Sequence, residues 1–183
     1  MALAVVMSVG LFELIATAET TKGATTAAVA PVAKADRSAR GISMLIQGEK
    51  QGQIKGAARD GSIGVISYTH EIVSPRDHAS GLPTGKRMHK PFVITKELDK
   101  STPLLMRAMV TNENLPTVEF RFADQSGVYF TVKLTNASLA GVSQMPGADG
   151  TPTEQLSFTY QKIEWTWVDG GITASDDWES PVQ

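Results

Sequence analysis

From residue 42 onward the apolar positions fall with the period of a strand. In residues 117–122 (TVEFRF) Val118, Phe120 and Phe122 alternate with Thr117, Glu119 and Arg121; in residues 128–134 (VYFTVKL) Val128, Phe130, Val132 and Leu134 alternate with Tyr129, Thr131 and Lys133. Successive strand side chains point to opposite faces, so each run predicts a strand with one apolar and one polar face. Residues 124–127 (DQSG) predict the turn between them. Residues 63–73 (IGVISYTHEIV) and 91–98 (PFVITKEL) are rich in β-branched and aromatic side chains and predict two more strands. The final run, residues 154–168, changes phase: Leu156, Phe158 and Tyr160 keep one, Ile163, Trp165 and Trp167 the other. Either a bulge near Gln161 or a strand whose two ends pack against different surfaces accounts for the change. Residues 139–143 read as a weaker segment, set off from that run by a loop, QMPGADGTPT.

One segment keeps helical spacing instead. In residues 99–116 (DKSTPLLMRAMVTNENLP) Ser101 or Thr102 can cap the first amides and Pro103 is tolerated in the first turn. Leu104, Leu105, Ala108 and Met109 recur on one face, and residues 112–116 end the helix. With a single apolar face, it should cover the side or end of a sheet. Six or so strands and one helix predict a mainly β fold, a barrel or sandwich flanked by the helix. No internal repeat is visible in the chain.

The connection between the two aromatic strands, residues 74–90, is longer than an ordinary hairpin loop and carries Pro75, Pro83, Gly81 and Gly85. A connection of that length is functional or braced by a neighbour. Its stretch SGLPTGKRMHK superficially resembles a phosphate cradle. Gly81 and Gly85 are one residue too close for that motif, however, and Arg87 stands where the magnesium-holding hydroxyl belongs.

Composition narrows the chemistry. The 183 residues fit one principal domain, and a net charge of −2 gives no overall attraction to nucleic acid or to an anionic membrane. Without cysteine, disulfides, thiolate metal sites and a cysteine nucleophile are excluded. His70, His78 and His89 show no paired metal-ligand spacing. Asp99, Glu119 and Glu164 read as solvated charge, His70 as a half-buried packing residue, and no G-x-S-x-G elbow is present. No cofactor is expected.

Residues 1–40 stand apart. The apolar run 2–12 is too short to span a bilayer and is followed by Glu13 and an Ala/Thr-rich stretch. A poorly ordered extension, a signal-like segment and a short docking helix are the alternatives, and the domain itself is expected over residues 41–183.

Charge is divided along the chain. Arg76, Lys86, Arg87 and Lys90 face only Asp77 within residues 76–90, whereas residues 163–183 carry Glu164, Asp169, Asp176, Asp177 and Glu179 and no base. The two segments can meet within one chain or between copies packed head to tail.

Read in order, GSIGVISYTHEIVSP, SGLPTGKRMHKPFVITKELDKSTPLLMRAM, LPTVEFRF, YFTVKLTNA, LSFTYQKIEWTWVDGG and the closing SDDW resemble the Hcp family, the haemolysin-coregulated proteins of bacterial type VI secretion. The resemblance runs from about residue 43 to residue 178. It implies a two-sheet β-barrel with one flanking helix and a long extended loop, without enzymatic activity. It further implies hexameric rings that stack into the inner tube of a contractile machine and carry effector proteins in the lumen. On that resemblance Ser80, Gly81, Leu82, Pro83, Thr84, Gly85, Lys86 and Arg87 form a loop that contacts the next ring or a neighbouring subunit. Asp176, Asp177 and Glu179 are its expected acidic counterpart, and Gly147 and Ala148 are expected near the lumen. The implied partners are further copies of the chain, the sheath, spike and baseplate proteins, and effectors, with no nucleic acid and no membrane insertion. The implied location is the bacterial cytoplasm before firing and the medium or target cell afterwards. Residues 1–40 are foreign to the family pattern, and a cleaved signal peptide would contradict export through the machine itself. A tail-tube protein of a phage-like injection particle and a secreted β-sandwich enzyme are the other readings.

Overall fold

The computed structural model describes residues 41–178; the extension, residues 1–40, and Glu179 lie outside the described residues. The elements are β1 (Gly41–Gly48), β2 (Gly52–Ile54), β3 (Ile63–Val65), β4 (Ser67–Thr69), β5 (Ile72–Val73), β6 (Met88–His89), β7 (Phe92–Glu97), helix α1 (Thr102–Val110), β8 (Leu115–Asp124), β9 (Gly127–Pro146), β10 (Pro152–Trp167) and β11 (Ile172–Asp177). The main sheet is antiparallel, in the order β2-β1-β8-β9-β10-β7-β4, with β3 added to β1 and β11 to β10; β5 and β6 form a separate pair. Only Ile66 separates β3 from β4, and its amide bonds to the Thr95 carbonyl at 2.7 Å. This one segment therefore pairs with β1 through Ile63–Val65 and with β7 through Ser67–Thr69, joining the two ends of the strand order. The mainly β fold with one helix is as the sequence predicts.

The phase change in β10 belongs to a whole row of the sheet. Buried positions switch from Leu115 to Val118 in β8, from Leu134 to Ala137 in β9 and from Tyr160 to Ile163 in β10. Pairing stays in step across the switch: Leu115, Ala137 and Tyr160 are neighbours on one side, Thr117, Thr135 and Lys162 on the other. Asn136 sits in the break at φ 48° and donates its Nδ2 to Gln161 Oε1 at 2.8 Å. Asparagine enters the left-handed region at less cost than most side chains, which suits it to a sharp turn of strand direction. Of the two sequence alternatives, the ends of β10 do meet different neighbours, β7 along Thr153–Phe158 and β11 along Lys162–Trp167. The bulge lies elsewhere, at Ala140, where the partner of Ser157 is Gly141 and that of Phe158 is already Leu139. The segment read as weak, residues 139–143, is continuous with β9, and the predicted loop shrinks to the turn between Pro146 and Pro152.

The core gathers Phe92, Phe120 and Phe158 with Met44, Ile46, Ile94, Leu134 and Ile163. Phe92 stacks on Phe120 at 4.3 Å between ring centroids. Each such fully buried side chain contributes about 1.5–3 kcal/mol relative to exposure. Helix α1 buries Leu105 and Ala108 and ends where Asn112 takes φ 46°, with the Glu113 amide bonded back to the Ala108 carbonyl at 2.9 Å.

Two buried carboxylates fasten the helix to the barrel. Lys96 follows Phe92 and Ile94 on the inward face of β7, is itself fully buried, and meets Glu154 of β10 at 2.8 Å and Asp99 at 3.0 Å. Neither Ser101 nor Thr102 caps the helix through its side chain. The Ser101 hydroxyl bonds to Asp99 instead, and Thr102 Oγ1 donates to Glu154 at 2.9 Å. At the other end Glu113 accepts the Lys50 and Gln51 amides and the Gln51 side chain, each at 2.8 Å. A Cβ on Gly48 would lie 2.6 Å from Glu113 Oε1, so glycine there gives the carboxylate its seat. Burial alone would push the Glu113 carboxyl up, but these donors together hold it below its ordinary range.

Candidate functional site

The long connection is an arm held by its own backbone. From the barrel outward, the Lys90 amide bonds to the Glu71 carbonyl at 2.9 Å, β5 pairs with β6, Thr84 N bonds to the Pro75 carbonyl at 3.0 Å, and Arg76 bridges Pro83. Asp77 N reaches the Leu82 carbonyl at 2.9 Å and closes the tip. The prolines fit such a two-stranded projection because its outer edges need no donor. In the tip, Asp77 Oδ1 accepts the Ala79 amide at 3.1 Å, the Ser80 amide at 2.7 Å and the Ser80 hydroxyl at 2.8 Å. Gly81 takes φ 70° there. Leu82 stands at the end of the arm with 65% of its surface exposed.

At its root the arm is bound to the barrel by a polar chain. His70, just before β5, places Nε2 2.7 Å from the Tyr160 hydroxyl of β10. The same hydroxyl lies 3.0 Å from Nδ1 of His89 in β6. His89 Nε2 in turn lies 2.6 Å from Asp176 Oδ2 of β11, and the Arg87 guanidinium grips both oxygens of Asp176 and donates to the Asp177 carbonyl at 3.2 Å. Trp178 lies against His89 at 5.0 Å between ring centroids. The Arg87 guanidinium holds the Asp176 carboxyl below its ordinary range against the opposing effect of burial, with His89 adding to the pull. Burial pushes the Tyr160 hydroxyl well above its usual value and keeps it protonated. Burial, and then the neighbouring His89, push His70 below the usual histidine range.

The structure thus brings Arg87 together with Asp176 and the Asp177 backbone in one chain, one of the two meetings that the charge division allows. Ser80 to Lys86 are all exposed, out along the arm. Gly147 and Ala148 lie in the β9–β10 turn, closed by Gly147 N to the Thr151 carbonyl at 2.8 Å. Asp176 sits opposite Ile163, ten residues along β10 from Thr153, or up to about 33 Å of strand. The turn and the arm root are therefore separate surfaces. Ala148 is exposed, while a Cβ on Gly147 would meet the Thr151 carbonyl at 2.9 Å, so backbone crowding explains the glycine.

The sequence reading missed the joint role of His70, His89 and Tyr160, which only the pairing of Ile72 with His89 brings together. It also missed an apolar surface where β9 begins and β10 ends, made by Val128, Tyr129, Trp167, Val168 and Ile172, each more than a third exposed. Tyr129 and Trp167 lie 5.6 Å apart between ring centroids. Such a cluster at a strand end fits contact with another protein surface better than it fits water. Among the described residues no three His, Asp or Glu side chains gather as metal ligands, and no helix is long and apolar enough to cross a membrane.

A family model described as "Type VI secretion system effector, Hcp" matches residues 39–167. The "Major exported protein" of Pseudomonas aeruginosa is 40% identical, covering 76% of this chain and 95% of the relative. Among solved structures, a mutant of the Hcp1 protein from E. coli EAEC 042 pathovar is similar at 34% identity and TM-score 0.68, over 76% of this chain and 99% of that one. The secreted protein Hcp3 from Pseudomonas aeruginosa is similar at 31% identity and TM-score 0.62, with the same coverage.

Proposed function

The chain belongs to the Hcp family of type VI secretion proteins, and from that footing we propose that it is a ring-forming subunit of the secretion machine's inner tube. The observation that carries this is the 40% identity to an exported protein over 95% of that protein's length, together with a family match over residues 39–167 that spans both the arm and the barrel. Copies of the chain associate into hexameric rings, the rings stack, and effector proteins ride in the lumen. The subunit waits in the bacterial cytoplasm and leaves through the machine, in the company of sheath, spike and baseplate proteins. Its role is mechanical, with no reaction to catalyse and no cofactor.

Three surfaces support this reading. The apolar cluster around Trp167 gives a copy of the chain something to bury. The arm, ordered by its own hydrogen bonds, can reach a neighbour without first being folded by it, which lowers the entropic cost of contact. Because Arg87 is engaged by Asp176, the positive charge that the arm offers a neighbouring ring is that of the exposed Arg76, Lys86 and Lys90. The exposed Ala148 in the β9–β10 turn is the lumen-facing position.

Export tests the role as a whole. In a strain carrying the machine, the protein should reach the medium when the sheath contracts and stay in the cells when the sheath gene is deleted. Release that is indifferent to the sheath would sink the proposal.

A further inference from the structure

We propose that His70 is a proton-operated latch on the arm: the arm stays tightly docked on the barrel while His70 is neutral and loosens when His70 and His89 are both protonated. The inference goes beyond tube formation and rests on the geometry of the root within one chain.

The donors and acceptors at the root admit one consistent pattern with both rings neutral. Asp176 has only acceptors, so the His89 nitrogen beside it, Nε2, carries the hydrogen. His89 Nδ1 must then accept, and the Tyr160 hydroxyl donates to it. That hydroxyl in turn accepts from His70 Nε2. A first added proton is also accommodated. With both nitrogens of His89 protonated, the ring lies against the Asp176 carboxylate, the Tyr160 hydroxyl turns round to donate to His70, and His70 moves its hydrogen to Nδ1.

A second proton has no such solution. With both rings charged, Tyr160 faces an N–H on either side, its own hydrogen loses its acceptor, and two imidazolium rings stand 6.2 Å apart between centroids. Among the described residues, the groups that face His70 carry no negative charge. They are the Tyr160 hydroxyl and the Trp165 ring of β10, the Phe92 ring of β7 and His89 of β6. Beyond His89 the Asp176 carboxylate is already shared with Arg87, and the Asp177 contact to Arg87 is a backbone carbonyl. Burial and the His89 charge both depress the proton affinity of His70, in agreement with this geometry. A histidine whose folded affinity is lowered stabilises the docked form above the ordinary histidine range. That stabilisation is lost as pH falls below about 6.5 toward the folded value.

The two coupled strands of the arm begin at this root, at Glu71 and Lys90, so charging both rings loosens the arm, which then hangs on the Arg87–Asp176 pair, while the barrel core is left untouched. Hydrogen exchange of the full chain reads this directly, as protection factors for residues 71–90 set against those of β8. From about pH 7.5 to about pH 5 the arm should lose roughly tenfold or more in protection while β8 holds. His70→Gln, which keeps a neutral donor near the Nε2 position, should stay protected across the range. A wild-type arm indifferent to pH, a His70→Gln arm that still loosens in acid, or a β8 that loses protection in step would each overturn the latch. Should the variant fold poorly, imidazole NMR of the wild type decides: protonation of His70 must coincide with the loss of arm protection, and a His70 that takes up its proton with arm protection unchanged would refute it.

Discussion

Arg87 and Asp176 stand 89 residues apart in the sequence and meet through both prongs of the guanidinium within one chain, tying the root of the arm to β11. The pair is planar and two-pronged but partly open to water, so its strength depends on ionic strength. Its first consequence is an order of effects. Asp176→Ala, which releases both Arg87 and His89, should loosen the arm more than Arg87→Ala. The double variant should loosen it no further than Asp176→Ala alone. Protease cleavage in the arm, followed with rising salt, checks this, and strictly additive losses would mean that the two residues act separately.

Acid should act on the barrel at a lower pH than on the arm. The Glu113, Asp99 and Asp176 carboxyls are all held below their ordinary range despite opposing burial: Glu113 by amide donors, Asp99 by Ser101 and Lys96, Asp176 by Arg87. Groups of this sign contribute stability that is present above about pH 4 and lost as pH falls through their folded values. Melting temperature should therefore be level near neutrality and fall steeply below about pH 4. Glu113→Gln, which removes the charge, should flatten part of that fall.

Lys96 and Glu154 form a buried ion pair at 2.8 Å, with both side chains fully enclosed. Glu154→Leu leaves the buried Lys96 ammonium with Asp99 as its remaining acidic partner, so it should cost less in denaturant unfolding than the roughly 3–5 kcal/mol of a fully orphaned buried charge. Lys96→Met combined with Glu154→Leu should cost far less than the sum of the single changes, because the desolvation of both charges disappears together.

Much of this fold is legible in the sequence, for a physical reason. In β8 and the first half of β9 one face is buried and the other wet, so alternation is visible directly, and the face of α1 is equally plain in Leu105 and Ala108. The pattern fails where burial and polarity part company. Lys96 and Glu154 occupy interior positions that a hydropathy reading assigns to apolar residues, and only the phase set by Phe92 and Ile94 points Lys96 inward. The second half of β9 hides because Ala140, Gly141 and Ser143 are too small to alternate visibly, and the bulge at Ala140 breaks what rhythm remains. The basic and acidic segments announce themselves, but that Arg87 turns onto Asp176 while Lys86 stands exposed depends on a side chain's direction along the arm. The apolar surface around Trp167 shows as a hydrophobic strand end and nothing in its period says that it stays uncovered.

Contacts between copies give a separable pair of outcomes. Lys86→Glu reverses one exposed positive charge of the arm without touching the root. It should leave rings intact while weakening their stacking, with a cost of about 0.2–1 kcal/mol per contact at an exposed rim and more if the contact is dry. Ala148→Arg should leave both rings and stacking unchanged and reduce recovery of a co-purified effector, since it adds bulk and charge at the proposed lumen. Ala148 is the better probe than Gly147, whose backbone neighbours resist any side chain. Equal cargo recovery from Ala148→Arg would place the turn away from the lumen.

If copies of this chain close into a ring as proposed, the mass of the particle in solution must show it. Native mass spectrometry of the full chain at micromolar concentration should show a single assembly of about six subunits of 19.6 kDa each. Substituting Trp167 or Ile172 by a charged residue should shift that assembly toward single chains. A native protein that remains at the mass of one chain throughout that range would contradict the account.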